Sequence, residues 1–123
     1  MLYKYKNDYK KITMGLLSFI PNLKEVSRLS NELEWYQAQD DRNLFLWKNE
    51  QDDFCGIIGA EINDSIVMVR HLAISPQYRG EGVSYQMLTA LAARFPEHKM
   101  MGSVEVAPLI AKWEKNRGQE SNK

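Results

Sequence analysis

The chain has 123 residues, 44% of them hydrophobic, and its 16 basic and 16 acidic side chains cancel to a formal charge of zero. That length supports one core and one domain, expected over residues 1–118 with a disordered polar tail at 119–123, and the interspersed charge excludes the whole-chain positive field of a nucleic-acid or anionic-membrane binder. The lone Cys55 excludes an internal disulfide, no zinc-ligand spacing or apolar run of about 20 residues is present, and the N-terminal MLYKYKNDYKK lacks the apolar region of a secretory signal, so the expectation is a cytoplasmic protein without a metal.

LYKYK, at residues 2–6, predicts a short strand. Asp8 is placed to cap a helix whose apolar face is Ile12, Leu16 and Phe19 and which Pro21 ends. Asn22 with Glu25 three residues later resembles a capping box, and Val26, Leu29, Leu33 and Tyr36 recur at helical spacing after it. The polar QDDRN closes that helix. LFLWK and FCGIIGAEI then read as strands joined by NEQDD, and DSIVMVRHLAI as a third after the Asn63–Asp64 turn, which together make an antiparallel meander. Trp35, Tyr36, Phe45 and Trp47 read as packing residues, with those on the second helix also able to line a pocket.

Past the third long strand the period changes. Val83, Met87, Leu91 and Phe95 share one helical face with Leu88 and Ala92 beside them, and Pro96 ends the helix. KMMGSVEV predicts a fifth strand, and Pro108 the start of a last helix through LIAKWEKN. A strand, helix and strand over residues 66–106 are long enough for a right-handed parallel crossover. The predicted fold class is therefore α/β (α+β): a mixed central sheet, mostly antiparallel with one parallel pair, flanked by helices.

The chemistry concentrates in ISPQYRGEGVSYQML, residues 74–88, where a strand runs into a helix. The first amides of a helix have no intrahelical acceptor and lie at the positive end of its dipole. Gly80 and Gly82 carry no Cβ, so a phosphate can approach the main chain and the loop can adopt positive φ. Such a junction binds anions, with charge-assisted hydrogen bonds of about 1.5–3 kcal/mol each. No glycine is followed by lysine, which excludes the GxxxxGK phosphate loop, and Tyr85 stands where a GxGxxG dinucleotide loop requires its third glycine.

Gln77-Tyr78-Arg79-Gly80-Glu81-Gly82 resembles the (Q/R)xxGx(G/A) acetyl-CoA signature of the GNAT superfamily of N-acetyltransferases, and LAISP resembles the end of that family's fourth strand. The predicted element order agrees with the family's over most of the chain. MGLLSFIPN, FLWK and VRHLAISP also resemble the small acetyltransferase-like proteins encoded with riboflavin-synthesis genes in Gram-positive bacteria. The resemblance implies transfer of an acetyl group from acetyl-CoA to a primary amine of a small molecule or protein, or, alternatively, a CoA-binding regulatory module without turnover.

On the same resemblance, main-chain groups of Leu72 and Ile74 pair with the pantetheine arm where the fourth and fifth strands splay, and Ala73 between them belongs to the cofactor site. The amides of Arg79, Gly80, Glu81, Gly82, Val83 and Ser84 hold the pyrophosphate, Ser84 replacing a glycine common in the family. Trp113 stands where many members have an acidic tyrosine, and an indole donates a hydrogen bond without being an acid. The strand glutamate of some relatives falls at Met68, and the asparagine after the fifth strand near Val106.

Two residues are candidates for the base that must free the amine's lone pair. His71 titrates near neutral pH beside the pantetheine path, though a histidine in an apolar strand also serves as a hydrogen-bonded core residue. Glu61 on the neighbouring strand is the other, with pairing to Arg70 as its alternative role. Direct transfer requires no nucleophile, so Cys55 is not needed. Asp40, Asp41 and the turn from Glu50 to Asp53 fall where the family's acceptor approaches and suit a cationic substrate. The sequence ends before the family's terminal hairpin, which implies an open acceptor cleft or a sheet edge paired with a second copy, a homodimer.

Overall fold

The computed structural model describes residues 1–121, with side chains to residue 117. Its sheet is set by two asparagine turns. Asn49 Oδ1 accepts the amides of Gln51 and Asp53 at 3.0 and 2.9 Å, and Asn63 Oδ1 those of Ser65 and Ile66 at 3.0 and 2.8 Å, each side chain standing in for a turn carbonyl. β1 (Leu2–Lys4), β2 (Arg42–Lys48), β3 (Phe54–Ile62) and β4 (Ile66–Ile74) run antiparallel in that order, and β5 (Lys99–Gly102) lies parallel to β4. The predicted mixed sheet is the observed one.

Alternation along the strands sorts side chains into two layers. Leu44, Leu46, Ile57 and Ala73 meet α1 (Lys10–Leu17) and α2 (Val26–Gln37) through Leu16, Leu17, Leu29, Leu33 and Tyr36. On the other face Ile58, Ala60, Val67 and Val69 meet α3 (Val83–Arg94) and α4 (Ala107–Ser121) through Met87, Leu88, Leu91, Ile110 and Trp113. Leu17, Leu46, Ile57, Ile58, Leu88 and Leu91 are wholly buried, and such an aliphatic side chain contributes about 1.5–3 kcal/mol by leaving water. α4 continues to Ser121, so residues 119–121 of the expected tail are helical, and residues 122–123 lie outside the described residues. Among the described residues no helix is long and apolar enough to cross a membrane.

Three details differ from expectation. α1 starts only at Lys10, after a 3-10 turn at Asn7–Tyr9, so Asp8 makes no cap and faces Lys6 at 3.9 Å. Its buried stripe is Thr13, Leu16 and Leu17; the helix ends before Phe19, which is 38% exposed, and Ile12 is 39% exposed. The capping box at Asn22 is not made either, because Pro21–Leu23 forms its own 3-10 turn and Glu25 becomes the N-cap residue of α2, leaving Val26 exposed while Leu29, Leu33 and Tyr36 are buried.

The third difference shapes the site. β5 stops at Gly102 instead of reaching Val106, since the Val106 and Ala107 amides donate back to the Ser103 carbonyl at 3.0 and 2.7 Å. A Cβ on residue 102 would stand 2.9 Å from the Ala107 nitrogen, so glycine is what permits this turn into α4. β5 therefore pairs with β4 only over Ile66–Val69, and the two strands part after Ser103 reaches the Val69 carbonyl at 2.9 Å. At the same level β4 carries a bulge at Arg70, opposite the Gly59–Ala60 step of β3. One extra residue reverses the alternation, so beyond it Leu72 and Ile74 face α3 and α4 while His71 turns toward α2.

Candidate functional site

The parted strands leave half of β4 with an unpaired edge. The Ser75 amide donates to the Cys55 carbonyl at 2.8 Å, so by alternation the main-chain groups of Ala73 and His71 face β3, and those of Leu72 and Ile74 face the gap. An extended molecule laid in the gap can bond to them as another strand would. Arg79 Nε donates to the Ile74 carbonyl at 3.1 Å and ties the following loop to the end of β4.

In that loop Gly80 and Gly82 have φ of +84° and +77°, the left-handed region glycine favours. No atom lies within 4 Å of where a Cβ on either would stand, so the space above the loop is open. Gly82 caps α3, the Gln86 amide closes the first turn onto its carbonyl at 3.1 Å, and the Val83 and Ser84 amides precede any intrahelical acceptor. The Tyr78 hydroxyl braces the loop by donating to Asp53 Oδ2 at 2.9 Å. A cavity of about 660 Å³ overlies the loop, bounded by Ile74, Arg79, Gly80, Gly82 and Ser84 and, across from them, by Lys112 and Asn116 of α4. Neither α4 residue was singled out from sequence, although their spacing of four on a predicted helix is the signal that finds them.

A second cavity, of about 760 Å³, continues on the α2 side. It shares Ile74, Arg79 and Ser84 with the first and ends at Glu32, His71 and Glu105. His71 is held from behind: the Tyr36 hydroxyl bonds to its Nδ1 at 2.5 Å. Burial, reinforced by the nearby Glu32 charge, pushes the Tyr36 phenol far above its ordinary value, so the tyrosine is the donor and Nδ1 the acceptor. Assigned from this network, the imidazole proton sits on Nε2, 3.6 Å from the Glu32 carboxylate. Burial lowers the His71 pKa, with Glu32 acting in the opposite direction, so the ring is neutral near pH 7 and turns an N–H toward Glu32.

Of the two expected bases, the fold therefore brings His71 into the cavity and leaves Glu61 outside it, bonded to Arg70 at 2.8 Å. The acidic loops are elsewhere as well: Glu50 borders a separate recess beside Glu81, and neither Asp40 nor Asp41 lines the second cavity. The carboxylates that do face it, Glu32 and Glu105, were missed, because Glu32 lies on a helix read for its apolar stripe and Glu105 was assigned to a strand. Trp113 is 3% exposed and its indole N–H is taken by the Thr89 hydroxyl at 3.0 Å. Burial pushes the Cys55 thiol up, away from the thiolate a nucleophile would need.

This fold, with a sheet that parts at its single parallel pair and a glycine turn at the mouth of the parting, is shared with solved N-acetyltransferases. The spermidine N-acetyltransferase of Vibrio cholerae, solved with CoA and spermine, superimposes with a TM-score of 0.69 at 14% identity, covering 94% of this chain and 78% of that one. The aminoglycoside 6'-N-acetyltransferase AAC(6')-Ih of Acinetobacter baumannii gives 0.64 at 13% identity over 95% and 87%. In sequence the chain is 37% identical to an uncharacterized N-acetyltransferase in the lysA 3' region of Bacillus methanolicus, over 98% of this chain and all (100%) of that protein. The acetyltransferase (GNAT) family model matches residues 11–115, and the chain belongs to that family.

Proposed function

We propose that the protein transfers the acetyl group of acetyl-CoA directly to a primary amine held beside His71. The observation that carries this reading is the continuity of the two cavities: Ile74, Arg79 and Ser84 border both, so one groove leads from an anion-binding loop, past an unpaired strand edge, to a pair of carboxylates. The amides of Arg79, Gly80, Glu81, Gly82, Val83 and Ser84 take the pyrophosphate, and the main-chain groups of Leu72 and Ile74 the pantetheine, while those of Ala73, expected there too, are turned to β3. Lys112 adds positive charge across the groove. We read residues 1–118 as one such domain, acting in the cytoplasm, where its likeness to proteins encoded with riboflavin genes names no acceptor.

The amine arrives protonated and must lose a proton before it attacks. Glu32 receives that proton, with the His71 N–H, fixed by Tyr36, steadying the carboxylate from its other side. The amine nitrogen then bonds to the thioester carbonyl carbon, whose oxygen is polarised by the gap-facing main-chain N–H of Leu72 or Ile74, the carbon–sulfur bond breaks, and the nitrogen gives up its second proton to water. The departing thiolate takes up a proton from solvent, since the Trp113 indole is no acid. Glu61, engaged by Arg70, has no part in these steps.

Release of free thiol from acetyl-CoA in step with N-acetylated amine, on addition of primary amines to the protein, is the expected result. The indole standing in place of the family's tyrosine, and bonded to Thr89, favours one other reading, a CoA-binding module without turnover. Saturable acetyl-CoA binding with no thiol release from small amines or lysine peptides would put that reading in its place.

A further inference from the structure

Resting on that reading, we infer that the acceptor is a primary monoamine with an apolar alkyl or aralkyl body, its ammonium seated between Glu32 and Glu105 and its body against Phe19, Ile20 and Leu23. The two ends of the acceptor cavity differ in kind. At one end Glu32 and Glu105 face a recess of about 180 Å³ with Trp35, Arg70, His71 and Ser103 around it. Among the described residues neither carboxylate is ion-paired with a lysine or arginine. Glu32 has only His71 at bridging distance, a ring that burial keeps neutral. Arg70 does not supply the missing charge: its guanidinium is bonded to Glu61 at 2.8 Å and lies over the Trp35 ring at 5.1 Å. The recess thus carries two carboxylate charges; Glu105 is exposed and its charge is screened by water, while one ammonium seated between the two offsets that of the half-buried Glu32.

The other end has the opposite character. Phe19, Ile20, Pro21 and Leu23 border the same cavity, and Phe19 remains 38% exposed although Leu16 and Leu17 just before it are buried. An aromatic ring left uncovered at the mouth of a cavity whose far end is anionic fits a molecule with a cationic head and an apolar body. A polyamine or an aminoglycoside, the acceptor classes named for the two fold neighbours above, would set the ammonium groups that reach beyond Glu32 and Glu105 against this apolar wall or toward Arg79, where no further carboxylate lines the cavity. An α-amino acid would bring a carboxylate up to Glu32 and Glu105. Each of these is disfavoured by an unpaired charge.

The test is steady-state kinetics of the full chain at saturating acetyl-CoA with 2-phenylethylamine, hexylamine, spermidine, kanamycin and phenylalanine, alongside Glu32→Gln and Phe19→Ala. The expected kcat/KM for the two monoamines exceeds that for the other three by at least about tenfold. Phe19→Ala raises KM for 2-phenylethylamine several-fold with kcat little changed, whereas Glu32→Gln lowers kcat. Preference for spermidine, kanamycin or phenylalanine, or equal rates throughout, overturns the inference. If no amine releases thiol, calorimetric titration of 2-phenylethylamine and spermidine into the CoA-loaded protein separates the two claims: selective 2-phenylethylamine binding keeps the acceptor class and removes the transfer reading, and binding of neither, or of spermidine instead, overturns the acceptor class.

Discussion

Replacing Gly59 by alanine probes the packing that holds His71 in place. A Cβ on Gly59 would overlap the Tyr36 hydroxyl and ring, with Tyr36 Cε1 at 2.8 Å. Tyr36 cannot step aside: it is 4% exposed, with the Trp35 ring centroid 4.9 Å and the His71 ring centroid 5.5 Å from its own. Overpacking of this kind costs about 1–3 kcal/mol, and loss of the hydrogen bond to His71 about 0.5–1.5 more. Gly59→Ala should therefore lose about 2–4 kcal/mol, a large part of the roughly 5–15 kcal/mol typical of a domain. Urea unfolding reads this as a lower midpoint at unchanged slope. Adding Tyr36→Leu, which removes the ring the new methyl strikes, should make the double variant less destabilised than the sum of the single ones by about 1 kcal/mol or more. A loss below about 0.5 kcal/mol, or simple additivity, would refute the argument.

Gly15, by contrast, lies in α1 with nothing within 4 Å of its absent Cβ, so Gly15→Ala should stabilise the protein by about 0.4–1 kcal/mol in the same assay. Stability should also fall on acidification because of His71. Its folded pKa is lowered by burial, so the unfolded chain binds the proton first; the contribution is full above the ordinary value of 6.5 and is lost as pH drops through the lowered folded value. The difference in urea midpoint between wild type and His71→Gln, compared at neutral and mildly acid pH, should narrow on the acid side, with a slope no steeper than about 1.4 kcal/mol per pH unit. A difference that does not change with pH would dismiss the histidine as the source. Finally β5, which has β4 as its one neighbour among the described residues, is the edge proposed to pair with a second copy; sedimentation that finds only monomer at high concentration would remove the dimer.

The parts of the molecule legible in sequence are those where one period rules. β3 and the helix face of Val83, Met87 and Leu91 came out where the pattern put them, because their side chains are sorted by simple burial. The loop at Gly80 and Gly82 was legible for a different reason: positive φ next to open space leaves glycine as the residue of choice, and two of them before a helix narrow the chemistry to anions. What escaped notice depends on contacts distant in the chain. The Arg70 bulge reverses the faces of β4, so whether His71 looks toward α2 or α3 is decided by how β3 pairs with β4, not by the order of residues around it. Ending β5 at Gly102 is likewise a matter of the turn back to Ser103, in a stretch whose valines read as strand. Glu32 and Glu105 are remote in sequence and meet only because those two irregularities open the sheet between them.

The most direct test is calorimetric titration of the full chain and its Gly82→Asn variant with acetyl-CoA. Asparagine tolerates the left-handed φ of +77° at this position better than other side chains do, yet it fills the open space above the loop with a carboxamide. Saturable binding by the wild type, weakened at least about tenfold in the variant at an unchanged unfolding temperature, is the result expected if the Gly80–Gly82 turn holds the pyrophosphate. No binding by the wild type, or equal binding by both, would contradict it.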